Sequence, residues 1–162
     1  IMSSSVEEIK GLADAGANLT TLQLAQTHIS SLDVSQNPNL TSIDLYAVKE
    51  LTALDVTHNP KLTSLRVPFT SITELKLTNN PELVTLKVAH CKLKKLDITL
   101  LPKLKALYAG SQSPNSFLDN IEVTMTAAQK TTLNQVKPFK ESENDNYANY
   151  EDTNSWVKAI VR

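Results

Sequence analysis

Between Leu19 and Ala109 the chain writes one pattern nine times: an apolar residue, two variable ones, an apolar one, one variable one and a third apolar one. The triplets are Leu19/Leu22/Leu24, Ile29/Leu32/Val34, Leu40/Ile43/Leu45, Leu51/Leu54/Val56, Leu62/Leu65/Val67, Ile72/Leu75/Leu77, Leu83/Leu86/Val88, Leu93/Leu96/Ile98 and Leu104/Leu107/Ala109. A unit this small cannot bury its own apolar face, so self-similarity at a fixed period requires the units to stack into a solenoid with a continuous interior.

The spacing sorts the units into two kinds. Successive first residues lie 10, 11, 11, 11, 10, 11, 10 and 11 positions apart, so two alternating half-units make a coil of 21 or 22 residues. One half always has 11 residues and carries Asn37-Pro38, Asn59-Pro60 and Asn80-Pro81 at the same place, with Leu101-Pro102 as a degraded copy. Asparagine amides turned inward can pair with backbone groups that a solenoid corner leaves open, and a proline there needs no partner for a donor. Asn37, Asn59 and Asn80 are therefore expected to form a structural ladder.

The 10-residue half carries the resemblance to a known family. Leu19-Thr-Thr-Leu22-Gln-Leu24-Ala-Gln-Thr27-His-Ile29 follows the pattern Leu-x-x-Leu-x-Leu-x-x-Asn/Cys/Thr-x-Leu, and the copies from Leu62 and Leu83 place Thr70 and Cys91 where Thr27 stands. The array thus resembles the leucine-rich repeat family, in its short bacterial surface form found in internalin-like proteins and secreted leucine-rich proteins of gut bacteria. The resemblance implies an α/β-type repeat solenoid, mostly β: a right-handed leucine-rich-repeat solenoid of about four to five coils with parallel strands and N- and C-terminal caps. It also implies a non-enzymatic recognition module, secreted or at a cell surface, whose concave strand face binds a protein or glycan. Two copies depart from the pattern. The one from Leu40 has Val48 at the inward polar place and one residue more, and the one from Leu104 dissolves at Gly110-Ser111-Gln112-Ser113-Pro114.

The flanks read as caps, residues 1–18 before the array and residues 110–162 after it. Ser5-Val6-Glu7-Glu8 fits a capping box opening a helix over residues 3–18, with Gly16 as a left-handed stop. After the array, Ile121–Met125 alternates like a strand and Thr126-Ala-Ala-Gln129 opens a helix that Pro138 ends. An acidic loop and a strand from Trp156 to Val161 complete the chain, with Phe139 and Trp156 expected to cover the last coil.

Composition excludes more than it assigns. A net charge of −1 and a pI near 6.3, with scattered Lys and Arg, give no field to gather nucleic acid. No apolar run reaches the roughly 18 residues of a membrane span, and no secretion signal is written at the start. One cysteine, Cys91, precludes an internal disulfide, and three glycines leave no phosphate-binding loop. His28, His58 and His90 fall at different places in their units and form no metal pattern. The acidic stretch from Glu141 to Asp152 lacks the spacing of a calcium loop. No catalytic residue, metal or cofactor is implied, and the oligomeric state is not written in the sequence.

What is left is the strand face. Outward positions of the first half-unit line up as a central column of Gln23, Asp44, Arg66, Lys87 and Tyr108, with Tyr46 and Phe69 beside it. These seven are the candidate partner-binding residues, because a recognition surface needs chemical variety and aromatic and arginine side chains dominate interface energetics. The opposite half offers a uniform set, Asp33, Asp55, Lys76 and Asp97 with Ser35, Thr57, Thr78 and Thr99. The alternative reading is a rigid spacer or a piece of a larger surface protein with no ligand of its own, and an enzyme centred on the C-terminal acidic loop is the remote third.

Overall fold

The computed structural model describes residues 9, 11–109, 121–135 and 157–161. In chain order these form α1 (Leu12–Ala15) with a 3-10 turn (Gly16–Asn18), β1 (Thr21–Ala25), β2 (Ser42–Tyr46), β3 (Ala53–Asp55), β4 (Ser64–Arg66), β5 (Glu74–Lys76), β6 (Thr85–Lys87), β7 (Lys95–Asp97), β8 (Ala106–Tyr108), β9 (Ile121–Met125), α2 (Ala127–Gln135) and β10 (Val157–Val161). The fold is a mostly-β parallel solenoid of about four turns, as the repeat requires.

Each half-unit builds its own sheet. The first half gives the five-stranded order β1-β2-β4-β6-β8, and the second gives β3-β5 and β7-β9-β10. All the paired strands are parallel; within the array this is because one full coil separates each strand from its neighbour. The sequence pattern marks only the first half as strand, yet the second half pairs as well. Its Leu-Asp-Val and Leu-Lys-Leu segments have the same period-two alternation, and once the first sheet fixes the coil pitch the second half is held at pairing distance too.

Register follows the apolar triplets. Leu22, Ile43, Leu65, Leu86 and Leu107 are successive partners across the first sheet, and Leu54 pairs with Leu75 across the second. Their side chains meet inside one cluster that runs the length of the array, in which Ile43, Leu45, Leu51, Leu62, Leu65 and Leu83 are wholly inaccessible. Burying each such side chain contributes roughly 1.5–3 kcal/mol, and a slip by one residue would turn the whole set outward.

The strands after the array extend the sheet of β7. Leu96 of β7 is opposite Val123 of β9, which in turn is opposite Ala159 of β10, so β9 and β10 add two further rungs. Ile121 and Val123 are fully buried. At the other end, the described residues hold a single helical turn between Gly11 and Gly16, both at positive φ. Ser5 and Glu8 lie outside the described residues, as do Gly110 to Pro114, Pro138, Phe139, the acidic stretch and Trp156.

The asparagine ladder ties these parts together. Asn59 and Asn80 are inaccessible, and each Nδ2 donates twice: Asn59 to the carbonyls of Val34 and Asn37 at 2.9 Å each, Asn80 to those of Val56 and Asn59 at 2.9 and 3.0 Å. Every amide thus closes the corner of the coil before it. The two ends use the same device. Asn37 Nδ2 donates to Leu12 O and Gly16 O at 2.7 and 3.0 Å, so the N-terminal turn presents carbonyls as a preceding coil would. In the last coil, where Leu101 replaces asparagine, Gln129 Nε2 donates to Ile98 O and Leu101 O at 2.6 and 3.0 Å. Gln129 also closes the capping box of α2, its Oε1 accepting from Thr126 N and its own N–H donating to Thr126 Oγ1.

Two stability measurements test this ladder. Asn59→Ala removes the second hydrogen bond from each of two buried carbonyls, which keep the backbone N–H groups of Asn37 and Leu40, and is expected to cost roughly 1–3 kcal/mol, read as a lower urea midpoint with an unchanged slope. Gln129→Glu keeps the capping acceptor but removes both donations and buries a carboxylate. It is expected to lower the melting temperature at least as much as Gln129→Ala, whereas a residue acting only as a helix cap would tolerate glutamate.

Candidate partner-binding face

The central column predicted from the repeat is a true cross-strand row. Gln23 is opposite Asp44, Asp44 opposite Arg66, Arg66 opposite Lys87 and Lys87 opposite Tyr108. Strand alternation puts all five on the outer side, because the apolar residues on either side of each point inward. Neighbouring rungs bring the side chains into direct contact. Arg66 Nε lies 3.3 Å from Asp44 Oδ2, with the two side chains 40% and 23% exposed, and Lys87 Nζ lies 4.8 Å from the centre of the Tyr108 ring. Lys87 itself is 7% exposed, so its ammonium rests against an aromatic face that offsets lost hydration by about 0.5–2 kcal/mol. The row offers a partner an exposed amide, a part-exposed ion pair and a phenol held by a buried cation.

Tyr46 and Phe69 do not join this row. Tyr46 ends β2, and Phe69 lies in the corner that follows β4. There they meet a residue the repeat pattern did not single out: the Tyr46 and Phe69 rings are 5.6 Å apart in an edge-to-face arrangement, and Phe69 stacks on His90 at 4.3 Å with the planes 6° apart. The sequence signal for His90 was its position, the residue after the strand in the same place as Phe69.

That place has an unusual backbone. Gln26, Ala47, Phe69 and His90 occupy it in four successive coils, and all are left-handed with φ between 54° and 59°. The geometry is required by the corner, where three of their N–H groups donate to the next coil: Gln26 to Tyr46 O, Ala47 to Pro68 O and Phe69 to Ala89 O, at 2.9, 3.0 and 3.1 Å. Glycine would adopt it without strain, whereas a side-chain-bearing residue gives up about 1–2 kcal/mol. An aromatic ring held there is thrown outward along the ridge beside the strand face.

The inward polar column reads Thr27, Val48, Thr70 and Cys91, all buried. Thr70 Oγ1 donates to Val67 O at 3.0 Å and lies 3.3 Å from Cys91 Sγ, which lies 3.1 Å from the same carbonyl. Burial pushes the Cys91 thiol up to about 11, so it stays protonated and structural. The uniform opposite half is explained by local turns. Asp33, Asp55 and Asp97 accept from the N–H groups of Ser35, Thr57 and Thr99 at 2.9, 3.0 and 2.9 Å; the bond from Ser35 N–H holds the Asp33 carboxyl below its ordinary range, and the Thr57 hydroxyl at 2.7 Å, with the Thr57 N–H, does so for Asp55. Lys76 adds an ion pair to Asp55 at 3.4 Å. Among the described residues no group of three or more metal-ligating side chains converges, and no helix is long and apolar enough to cross a membrane.

Two parallel sheets on one 21- to 22-residue coil, an apolar triplet per strand and an amide ladder at the corner together define a leucine-rich-repeat-like solenoid, and the chain is one. It is similar to the functional domain of the internalin InlJ from Listeria monocytogenes, at 29% identity and a TM-score of 0.59. The alignment covers 74% of this chain and 29% of that one, so this chain spans less than a third of its length. The InlJ structure is described as including a cysteine ladder. This chain, with one cysteine, has none. No protein-family model matches the chain, and no curated protein does.

The stacked corner makes a pH prediction. Burial lowers the pKa of His90 from its ordinary 6.5, so the folded protein holds the imidazole neutral against Phe69 where the unfolded chain would already take up a proton. Its contribution to stability is complete above pH 6.5 and is lost as the pH falls through the lower folded value. A His90→Phe variant should therefore show a smaller loss of melting temperature than the wild type between pH 7 and pH 5.

Proposed function

We propose that the chain is a non-enzymatic recognition module that binds a protein partner through the strand face, at a cell surface or in the extracellular space. The observation that carries the reading is the register row Gln23, Asp44, Arg66, Lys87 and Tyr108, which is chemically varied where the opposite half is uniform. Variety on one face and uniformity on the other is what recognition on a structural scaffold calls for, and the likeness to InlJ agrees with a protein-binding module. Five strands about 4.8 Å apart make a face some 20 Å long, enough for one partner at a standard-sized contact of about 800 Å² per side. The cell-surface placement is an extension from InlJ.

A capture experiment on surface proteins decides between this and a spacer. Arg66→Ala/Tyr108→Ala removes the two most interface-competent side chains of the row, and Asp55→Ala/Lys76→Ala is the matched change on the second sheet. With both variants folded as wild type by circular dichroism, the first is expected to weaken partner binding at least 30-fold, about 2 kcal/mol, and the second to leave it intact. Equal binding by all three proteins would show that the row is scaffolding.

A further inference from the structure

A cleft of about 380 Å³ opens at the corners of the first two coils, beside the strand face rather than on it. It lies at the small end of the size range for ligand clefts, roughly 300–1,000 Å³. Three departures from the repeat converge on it. The first is Val48, which breaks the inward polar column. Thr70, two coils along, bonds a carbonyl and a thiol neighbour, but Thr27 has Val48 next to it. Its hydroxyl is buried, the residue being 6% exposed, and has no hydrogen-bond partner among the described residues. Thr27 lines the cleft. A buried hydroxyl left open is costly unless something else pairs with it.

The second departure is the extra residue in the copy from Leu40, whose turn brings exposed Lys49 and Glu50 to the rim. The third is Phe69, an aromatic residue kept at a left-handed corner where only glycine would be unstrained, and its ring joins Tyr46 in the wall. Gln26, at the equivalent corner of the first coil, and His28 two residues on complete the polar side. Ordinary solenoid packing explains neither of the first two, because the coils that keep the pattern do without them, and Phe69, which stacks on His90 at the next corner, adds its ring to the wall they open.

The lining fixes the ligand's chemistry. Lys49 donates, Glu50 accepts, and Thr27 and Gln26 do both, so the occupant must offer donors and acceptors on its edge. A carboxylate and an ammonium on one rim disfavour a net anion as much as a net cation. Two aromatic side chains ask for an apolar face of ring size. A pyranose ring has this combination, C–H groups on its face and hydroxyls around its edge. We propose that the cleft is a saccharide-binding subsite for one pyranose ring, free or at the end of a glycan. The inference does not rest on the protein-partner reading, which uses the Gln23 to Tyr108 row.

Saturation-transfer NMR on the whole chain tests it, with glucose, galactose, mannose and N-acetylglucosamine as free probes and a linear oligosaccharide of each as the chain-linked arm. Transfer to at least one probe is expected. The near-isosteric Thr27→Val and the surface change Glu50→Gln should each weaken it at least tenfold, and Arg66→Ala/Tyr108→Ala should leave it unchanged. Binding of free monosaccharides would mark a single-ring site, and binding only of oligosaccharides a glycan end; either supports the proposal. Transfer to none of the probes overturns it, as does binding that survives both cleft variants. N-acetyltyrosinamide displacing the sugars with higher affinity would also overturn it, making the cleft an anchor for a protein side chain. Loss of the sugar site leaves the Arg66/Tyr108 capture result standing, so the two readings fail separately.

Discussion

A carbonyl buried in a dry corner has two lone pairs to satisfy, and in this solenoid each coil pairs one with its own backbone N–H and takes the second bond from outside itself. The amide that closes each Asn corner comes from the coil after it, Asn59 serving Val34 and Asn37 and Asn80 serving Val56 and Asn59. This ties each coil to its successor by directional bonds, and it explains why both ends carry imitations. The N-terminal turn supplies carbonyls for Asn37, and Gln129 on α2 supplies to Ile98 O and Leu101 O the amide that a following coil would bring. The apolar triplets provide most of the gross burial, but it is the directional bonds at the corner that hold the coil pitch at which two sheets can form side by side.

Much of the fold was legible because its signal is periodic. Once the triplets are aligned, the register of Leu22 with Ile43 and Leu65 follows, and with it the row from Gln23 to Tyr108. The residues that escaped were those whose position depends on contacts out of phase with the repeat. Ile121–Met125 has the alternation of a strand, but nothing in its composition says that it pairs with β7, since it lies outside the pattern and more than twenty residues beyond that partner. The left-handed corner was equally hidden. Phe69 and His90 have no intrinsic preference for positive φ, and the turn imposes it to keep inter-coil bonds. Local propensity yielded to a tertiary demand there, which is why the Phe69–His90 stack had no sequence forecast.

The same contrast separates scaffold from site. Positions that repeat without change, such as the Asp-x-Ser/Thr turns of the second half, are accounted for by bonds to their own backbone. Positions that vary against a constant background have no such account. On the strand row the variation is side by side and partly self-satisfied through the Asp44–Arg66 pair and the Lys87–Tyr108 contact. At the first corners it is gathered in depth around Thr27. The molecule thus concentrates its irregularity on one flank and keeps the other flank regular.

Because each junction between coils is chemically the same junction, chain length is decoupled from stability in a way closed folds do not allow. Duplicating or losing a segment of 21 or 22 residues recreates an interface already present, with an Asn amide again meeting a Val and an Asn carbonyl. A change of one residue survives only at a corner, as it does before Leu51. A gene built this way is open to unequal recombination, which can lengthen or shorten the array in whole coils while its interior never meets a new neighbour.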